Sequence, residues 1–83
     1  MREEFLKKIA EIISENNHIP VENIRIDSSF EDLGMDSLDG ITLINDLEKH
    51  YNLAVPNVDA VKIRTVLEAI ENLEALYSEQ KIA

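Results

Sequence analysis

The 83-residue sequence contains no cysteine and no tryptophan, and only two glycines and two prolines. Without cysteine, the chain supplies no disulfide framework, no thiolate nucleophile and no cysteine-ligated zinc of its own. A chain of this length buries only about 60% of its unfolded surface, which leaves no room for a deep, two-walled active site. These absences predict a single domain, residues 1–83, that works as a monomer in the cytoplasm.

Long hydrophobic runs are also absent. The N-terminal stretch "MREEFLKKIAEIISENN" has charges threaded between its apolar residues, unlike the uninterrupted apolar core of a signal peptide. No run approaches the roughly 20 apolar residues that a membrane-spanning helix needs. The sequence therefore predicts neither secretion nor membrane insertion.

Basic residues are scarce, with eight against seventeen acids and a net charge of −9. Most of the excess lies in one central segment, where Arg25 is the single base among eight acids: Glu22, Asp27, Glu31, Asp32, Asp36, Asp39, Asp46 and Glu48. Such a field repels phosphate backbones, which argues against nucleic acid binding, and it attracts basic protein surfaces. Charge alone does not decide between a docking role and simple solubility.

Hydrophobic periodicity predicts an all-α fold. Near the N-terminus, apolar residues recur every three or four positions over about four turns, and Asn16 and Asn17 offer a left-handed stop. Residues 18–35 lose this periodicity, which predicts a long loop. Its apolar residues indicate that the loop packs across the helices. The stripe of the first helix is Phe5, Leu6, Ile9, Ile12 and Ile13.

A second helix is predicted from about Ser37 to Tyr51, with Asp36 as its N-cap and Asn52 near its stop. It carries more apolar residues than one stripe requires, so some face outward. A short helical turn near residues 58–63 and a last helix capped by Thr65 complete a small four-helix bundle, three helices long and one short, with a long first loop.

The stretch "GMDSLDG", residues 34–40, opens that second helix. The Asp36 carboxylate is expected to accept a hydrogen bond from the N–H of Leu38 or Asp39, and Asp39 adds negative charge at the positive helix end. Capping explains both aspartates but leaves Ser37 without a structural role. A phosphate ester on Ser37 would lie beside free helix amides, while the two acids suit recognition by a partner or its metal ion.

Ser37 as a catalytic nucleophile needs a base within hydrogen-bond reach. His50 lies thirteen residues further along the helix, about 20 Å at 1.5 Å per residue, whereas spacing does not exclude His18. The stretch is not a G-x-S-x-G elbow, and the acids of residues 27–39 do not have the spacing of a calcium loop. We therefore expect neither an enzyme nor a dedicated metal site.

The segment "LGMDSLDGITLINDLEKHYNLAVP", Leu33–Pro56, resembles the signature of acyl carrier proteins, in which the serine of a D-S-L triplet receives a 4'-phosphopantetheine arm. The triplet alone is weakly specific. The preceding "FEDLG" and the later "KIRTVLEAI" also fall where that family has them, so the resemblance covers nearly the whole chain.

The resemblance implies that a phosphopantetheinyl transferase, using magnesium and coenzyme A, attaches the arm to Ser37. Acyl groups would then travel as thioesters to the acyl-loading and acyl-processing enzymes of fatty acid, lipid or specialised acyl-chain biosynthesis, and these enzymes would present basic docking surfaces. The alternative for Leu38 and Ile41 is ordinary core packing. The implied docking residues are Asp36, Leu38, Asp39, Gly40, Ile41, Asn45, Asp46 and Glu48.

The second helix departs from the family pattern at Thr42, Asn45 and Lys49, where typical fatty acid carriers have glutamates or an apolar residue. These departures leave room for a specialised pathway. Gly40 costs about 1 kcal/mol relative to alanine in a helix, and we hypothesise that its missing side chain gives the arm or an enzyme close access. An aminoacyl or peptidyl carrier and an unmodified acidic interaction module remain the alternatives.

Overall fold

The structure is a computed structural model that describes residues 2–81. This part of the chain contains four α-helices, three of them long, and no strand: α1 Arg2–Asn17, α2 Ser37–Tyr51, α3 Asn57–Ala60 and α4 Val66–Lys81. The predicted all-helical bundle is confirmed.

The apolar stripes of the three long helices meet in one core. Helix α1 packs against both α2 and α4, while the short α3 packs against α2. Helix α1 thus lies between the stripes of α2 and α4, and the largest side chains of the shared core are removed from water: Phe5, Ile9, Ile13, Leu43, Leu47, Val66, Ile70 and Leu73.

The long first loop crosses the bundle and contributes to its core. Ile24, Phe30 and Met35 are buried, which agrees with the prediction of a loop packed on the helices, whereas Val21 and Ile26 are exposed and do not follow it. The backbone N–H of Phe30 donates to the Arg64 carbonyl at 2.9 Å, and that of Val66 donates to the Ser28 carbonyl at 3.0 Å. These bonds attach the loop to the start of α4, directly beside the N-terminus of α2.

The ends of the helices follow the sequence signals with two differences. Asn52 ends α2 in the left-handed conformation at φ 54°, as predicted. Helix α1 continues through Asn17, and His18 takes the left-handed position at φ 57° instead of Asn16 or Asn17. Helix α3 spans four residues, fewer than the predicted turn, whereas Thr65 caps α4 by accepting a bond from the Glu68 N–H at 3.0 Å.

Candidate functional site

Ser37 is the first residue of α2 and its side chain is exposed. In the part of the chain that the structure describes, no hydrogen bond involves its hydroxyl. At this position the amides of the first helical turn lie nearby without intrahelical acceptors, and they carry the positive end of the helix dipole. The serine thus presents a free hydroxyl beside an anion-favouring helix end.

A capping box fixes the start of this helix. The Asp36 Oδ1 atom accepts a bond from the Asp39 N–H at 2.9 Å, and the Asp39 Oδ2 atom accepts one from the Asp36 N–H at 3.1 Å. Each aspartate therefore satisfies an amide that would otherwise lack a partner. The predicted N-cap is confirmed, and Ser37 is held between the two residues of the box.

Helix α2 has an outward face, which we define as Leu38, Ile41, Thr42, Asn45 and Lys49, all exposed. Leu38 is 67% exposed and Ile41 is 39% exposed. The alternative that these two residues belong to the core is therefore wrong. The outward face combines two apolar side chains near Ser37 with one cation towards the other end of the helix.

None of the three acids within α2 belongs to this outward face. Asp39 takes part in the capping box. The Asp46 Oδ2 atom accepts a bond from the Asn16 side-chain amide of α1 at 3.0 Å, and the Glu48 Oε2 atom accepts one from the Val55 N–H at 2.9 Å. All three side chains are half-buried. Each carboxylate thus has an intramolecular role, and the roles of Asp46 and Glu48 are ones that the sequence did not indicate.

A cavity of about 340 Å³ opens next to Ser37. Its walls come from the first loop, the start of α2 and the segment from α3 to α4, and they are mainly apolar. Its volume lies within the range of small-molecule pockets, about 300 to 1,000 Å³. The lining includes Phe30, Met35, Gly40, Val61 and Ile63, with Ser37 at its edge.

Other candidate chemistry is not assembled around Ser37. His18 and His50 are both exposed, and His50 packs edge-on against Tyr51 at a ring-centroid distance of 4.7 Å. Within residues 2–81, no hydrogen bond joins either histidine to Ser37, and no group of three or more acids or histidines is placed to hold a metal ion. No helix in this part of the chain is long and apolar enough to cross a membrane.

Sequence reasoning missed the far wall of the cavity. Val61 lines it and is 61% exposed, and the neighbouring Val58 is 65% exposed. The sequence did contain a signal for these exposed valines, because a helical turn this short cannot bury a stripe of apolar side chains in the core. Phe30 was assigned to a pinned loop, but its position in the cavity wall depends on a contact with α2 that no local pattern encodes.

The chain is similar to known proteins over most of its length. Residues 7–73 match the family model described as a phosphopantetheine attachment site. The chain is 44% identical to the acyl carrier protein of Cyanidium caldarium over 84% of its length and 83% of the relative's. It is 40% identical to the acyl carrier protein of Lactobacillus johnsonii, with coverage of 88% and 92%.

Solved structures of similar proteins have the same fold. The crystal structure of the acyl carrier protein from Thermotoga maritima superimposes with a TM-score of 0.85 at 29% identity, covering 94% of this chain and 92% of that one. The actinorhodin apo acyl carrier protein from S. coelicolor gives a TM-score of 0.71 at 23% identity, which bears on the fold alone.

Proposed function

The chain belongs to the acyl carrier protein family, whose cofactor is a covalently attached 4'-phosphopantetheine, and we propose that Ser37 is its attachment residue. One observation carries the proposal: Ser37 combines an exposed hydroxyl, free of hydrogen bonds in the described residues, with a position at the helix N-terminus and at the edge of an apolar cavity. A phosphodiester suits this helix end, and the cavity suits an apolar cargo.

In the attachment reaction this chain contributes one reacting atom, the hydroxyl oxygen of Ser37. Ser37 Oγ forms a bond to the phosphorus of the phosphopantetheine moiety of coenzyme A, and the bond from that phosphorus to the oxygen of 3',5'-adenosine diphosphate breaks. The hydroxyl proton leaves to a base of the phosphopantetheinyl transferase. Asp36 and Asp39 hold Ser37 at the exposed helix end, and the Asp36 side chain, which is exposed and precedes Ser37 directly, would offer a negative charge to the transferase and its magnesium ion.

When bound, the cofactor supplies the thiol that the cysteine-free chain lacks, and acyl groups are held on it as thioesters. The apolar residues of the cavity wall, among them Phe30, Met35 and Val61, would then exclude water from an apolar acyl chain. This lining supports an acyl cargo over an aminoacyl one. The neutral and basic residues of the outward face, Thr42, Asn45 and Lys49, support a dedicated acyl pathway.

The docking surface is proposed to consist of the acids before α2 and the apolar start of its outward face. Asp36 and the exposed loop acids Glu31 and Asp32 would meet basic residues of partner enzymes, and Leu38 and Ile41 would enter an apolar groove. Asn45 belongs to the same outward face. Asp39, Asp46 and Glu48 contribute indirectly, because their carboxylates shape α2 and its neighbours.

We also propose that residues 1–83 act as one cytoplasmic domain and as a monomer. The chain itself would make and break no bonds, since the bond-making groups belong to its partner enzymes.

Intact-mass measurement tests the attachment site. The protein is incubated with coenzyme A, magnesium and a broad-specificity phosphopantetheinyl transferase, and we expect a gain of one phosphopantetheine. Ser37→Ala removes the gain, whereas Ser78→Ala, which alters an exposed serine on α4, retains it. A gain that persists in Ser37→Ala, or no gain with several transferases, contradicts the proposal; the second result would favour an unmodified interaction module.

A further inference from the structure

Gly40 lies in the second turn of α2, where glycine has no conformational purpose. Gly34 is the glycine with a positive φ, at 76°, and Gly40 keeps the ordinary helical backbone. A β-carbon built on Gly40 would lie 3.6 Å from Phe30 Cδ2 and 3.9 Å from Phe30 Cε2. These are ordinary van der Waals distances, so alanine fits without displacing its neighbours. Neither backbone strain nor crowding accounts for the glycine.

The missing β-carbon does change the cavity. Gly40 and Phe30 both line it, and Ser37 lies one helical turn before Gly40. A methyl group at residue 40 would lie in van der Waals contact with the edge of the Phe30 ring, and both residues line the cavity. With glycine, that part of the ring is left for whatever occupies the cavity, and the apolar lining suits a hydrocarbon chain better than a polar ligand.

We propose that Gly40 keeps the Phe30 ring open to the acyl chain, so that residue 40 sets how much hydrocarbon the cavity holds. The inference rests on the proposed loading of Ser37. The proposal predicts two opposite effects of Gly40→Ala on stability. The substitution stabilises the unloaded protein through helix propensity and contact with Phe30, and it reduces the additional stability that a bound acyl chain provides.

Thermal unfolding of defined loaded forms tests this. The protein is charged with acetyl-, butyryl- or octanoyl-coenzyme A by a broad transferase, and intact mass verifies loading. We expect the native Tm to rise by roughly 5 °C or more from the acetyl to the octanoyl form. In Gly40→Ala the unloaded Tm rises by about 4 °C, and the acetyl-to-octanoyl rise is smaller by roughly 3 °C.

Thr42→Ala is the matched control. Thr42 lies on the same helix, is exposed and does not line the cavity, and alanine raises its helix propensity as well. Its chain-length dependence should equal that of the native protein. An equal or larger acetyl-to-octanoyl rise in Gly40→Ala overturns the inference.

NMR spectroscopy tests whether the acyl chain contacts the Phe30 ring. The chain has two phenylalanines, and Phe5 lies in the core against Tyr51 at 5.1 Å between ring centroids. With ¹³C-labelled phenylalanine, octanoyl loading should shift the Phe30 ring resonances, leave those of Phe5 nearly unchanged, and shift Phe30 less in Gly40→Ala. Unmoved Phe30 resonances in a fully loaded native protein reject the role of Gly40 but leave attachment at Ser37 intact, whereas failure to load at Ser37 rejects the proposed function.

Discussion

The carboxylate of Glu48 accepts a hydrogen bond from the backbone N–H of Val55 at 2.9 Å. This bond joins the last turns of α2 to the segment that leads into α3, where Leu53 and Val55 are buried. Because α3 and the residues after it form one wall of the cavity beside Ser37, Glu48 helps to fix the shape of the site from its opposite end. An acid that the family resemblance assigns to docking thus has a clear structural role.

Glu48→Ala should lower the free energy of unfolding by about 1–2 kcal/mol, because it leaves the Val55 N–H without its acceptor. Glu48→Gln should retain most of the stability, since the amide oxygen accepts the same bond. Glu31→Ala, which removes an exposed loop acid, is the control and should change stability by less than about 0.5 kcal/mol. Urea denaturation measures all three, and an equal loss in the glutamine and alanine variants would show that the bond contributes nothing.

Asp36 combines a structural and an electrostatic role that substitutions can separate. Asparagine caps helices about as well as aspartate, so Asp36→Asn should preserve stability, whereas Asp36→Ala should cost about 1 kcal/mol. If the transferase reads the charge, both variants should load phosphopantetheine more slowly than the native protein. Loading rates by intact mass, measured beside urea denaturation, check this. Normal loading of Asp36→Asn would assign Asp36 to capping alone.

The start of α2 was predictable because its signals are local. Asp36, Asp39 and Asn52 act within one helical turn of the residues they cap, so the bounds Ser37–Tyr51 follow from the sequence. The end of α1 was predicted at Asn16 or Asn17 because asparagine favours the left-handed conformation. In the structure the Asn17 side-chain amide donates to the Ile13 carbonyl within the helix, and His18 takes the left-handed position.

The functional surface was less predictable, because its properties depend on distant partners. The orientation of Asp46 depends on Asn16 of α1, and that of Glu48 depends on Val55. The cavity brings together Phe30, Gly40 and Val61 from three segments of the chain. Helical periodicity places a residue on a face of its own helix but does not say what lies opposite that face.

Leu38 should matter for docking and little for folding. Because its side chain is 67% exposed, Leu38→Ala should change stability by less than about 0.5 kcal/mol. As an apolar anchor of the proposed docking surface, its removal should slow loading by the transferase roughly 5-fold or more. Leu47→Ala is the opposite case: Leu47 is fully buried, and its truncation should cost about 2–5 kcal/mol. Unaltered loading of Leu38→Ala would remove Leu38 from the docking surface.

The ion pair between Arg2 of α1 and Glu74 of α4 gives the fold a defined pH dependence. The Arg2 Nη2 and Nε atoms donate to the two Glu74 carboxylate oxygens at 2.6 and 3.1 Å. These hydrogen bonds from Arg2 hold the pKa of Glu74 below its ordinary value of 4.5. Since the folded state binds the proton less tightly than the unfolded state, the pair stabilises the fold above about pH 4.5. That contribution disappears as the pH falls through the lowered pKa.

Glu74→Gln should therefore have a slightly lower Tm than the native protein at pH 7, and the difference should shrink below about pH 4.5. The effect is small because both side chains are solvent-accessible, and high salt should reduce it further. Glu79→Gln, which alters an exposed acid on the same helix, is the control, and its offset from the native Tm should not follow this profile. An Arg2→Gln background should abolish the effect of Glu74→Gln. A Tm difference that persists unchanged from pH 7 to pH 3 would mean that packing of the Glu74 side chain, and not its charge, holds α1 to α4.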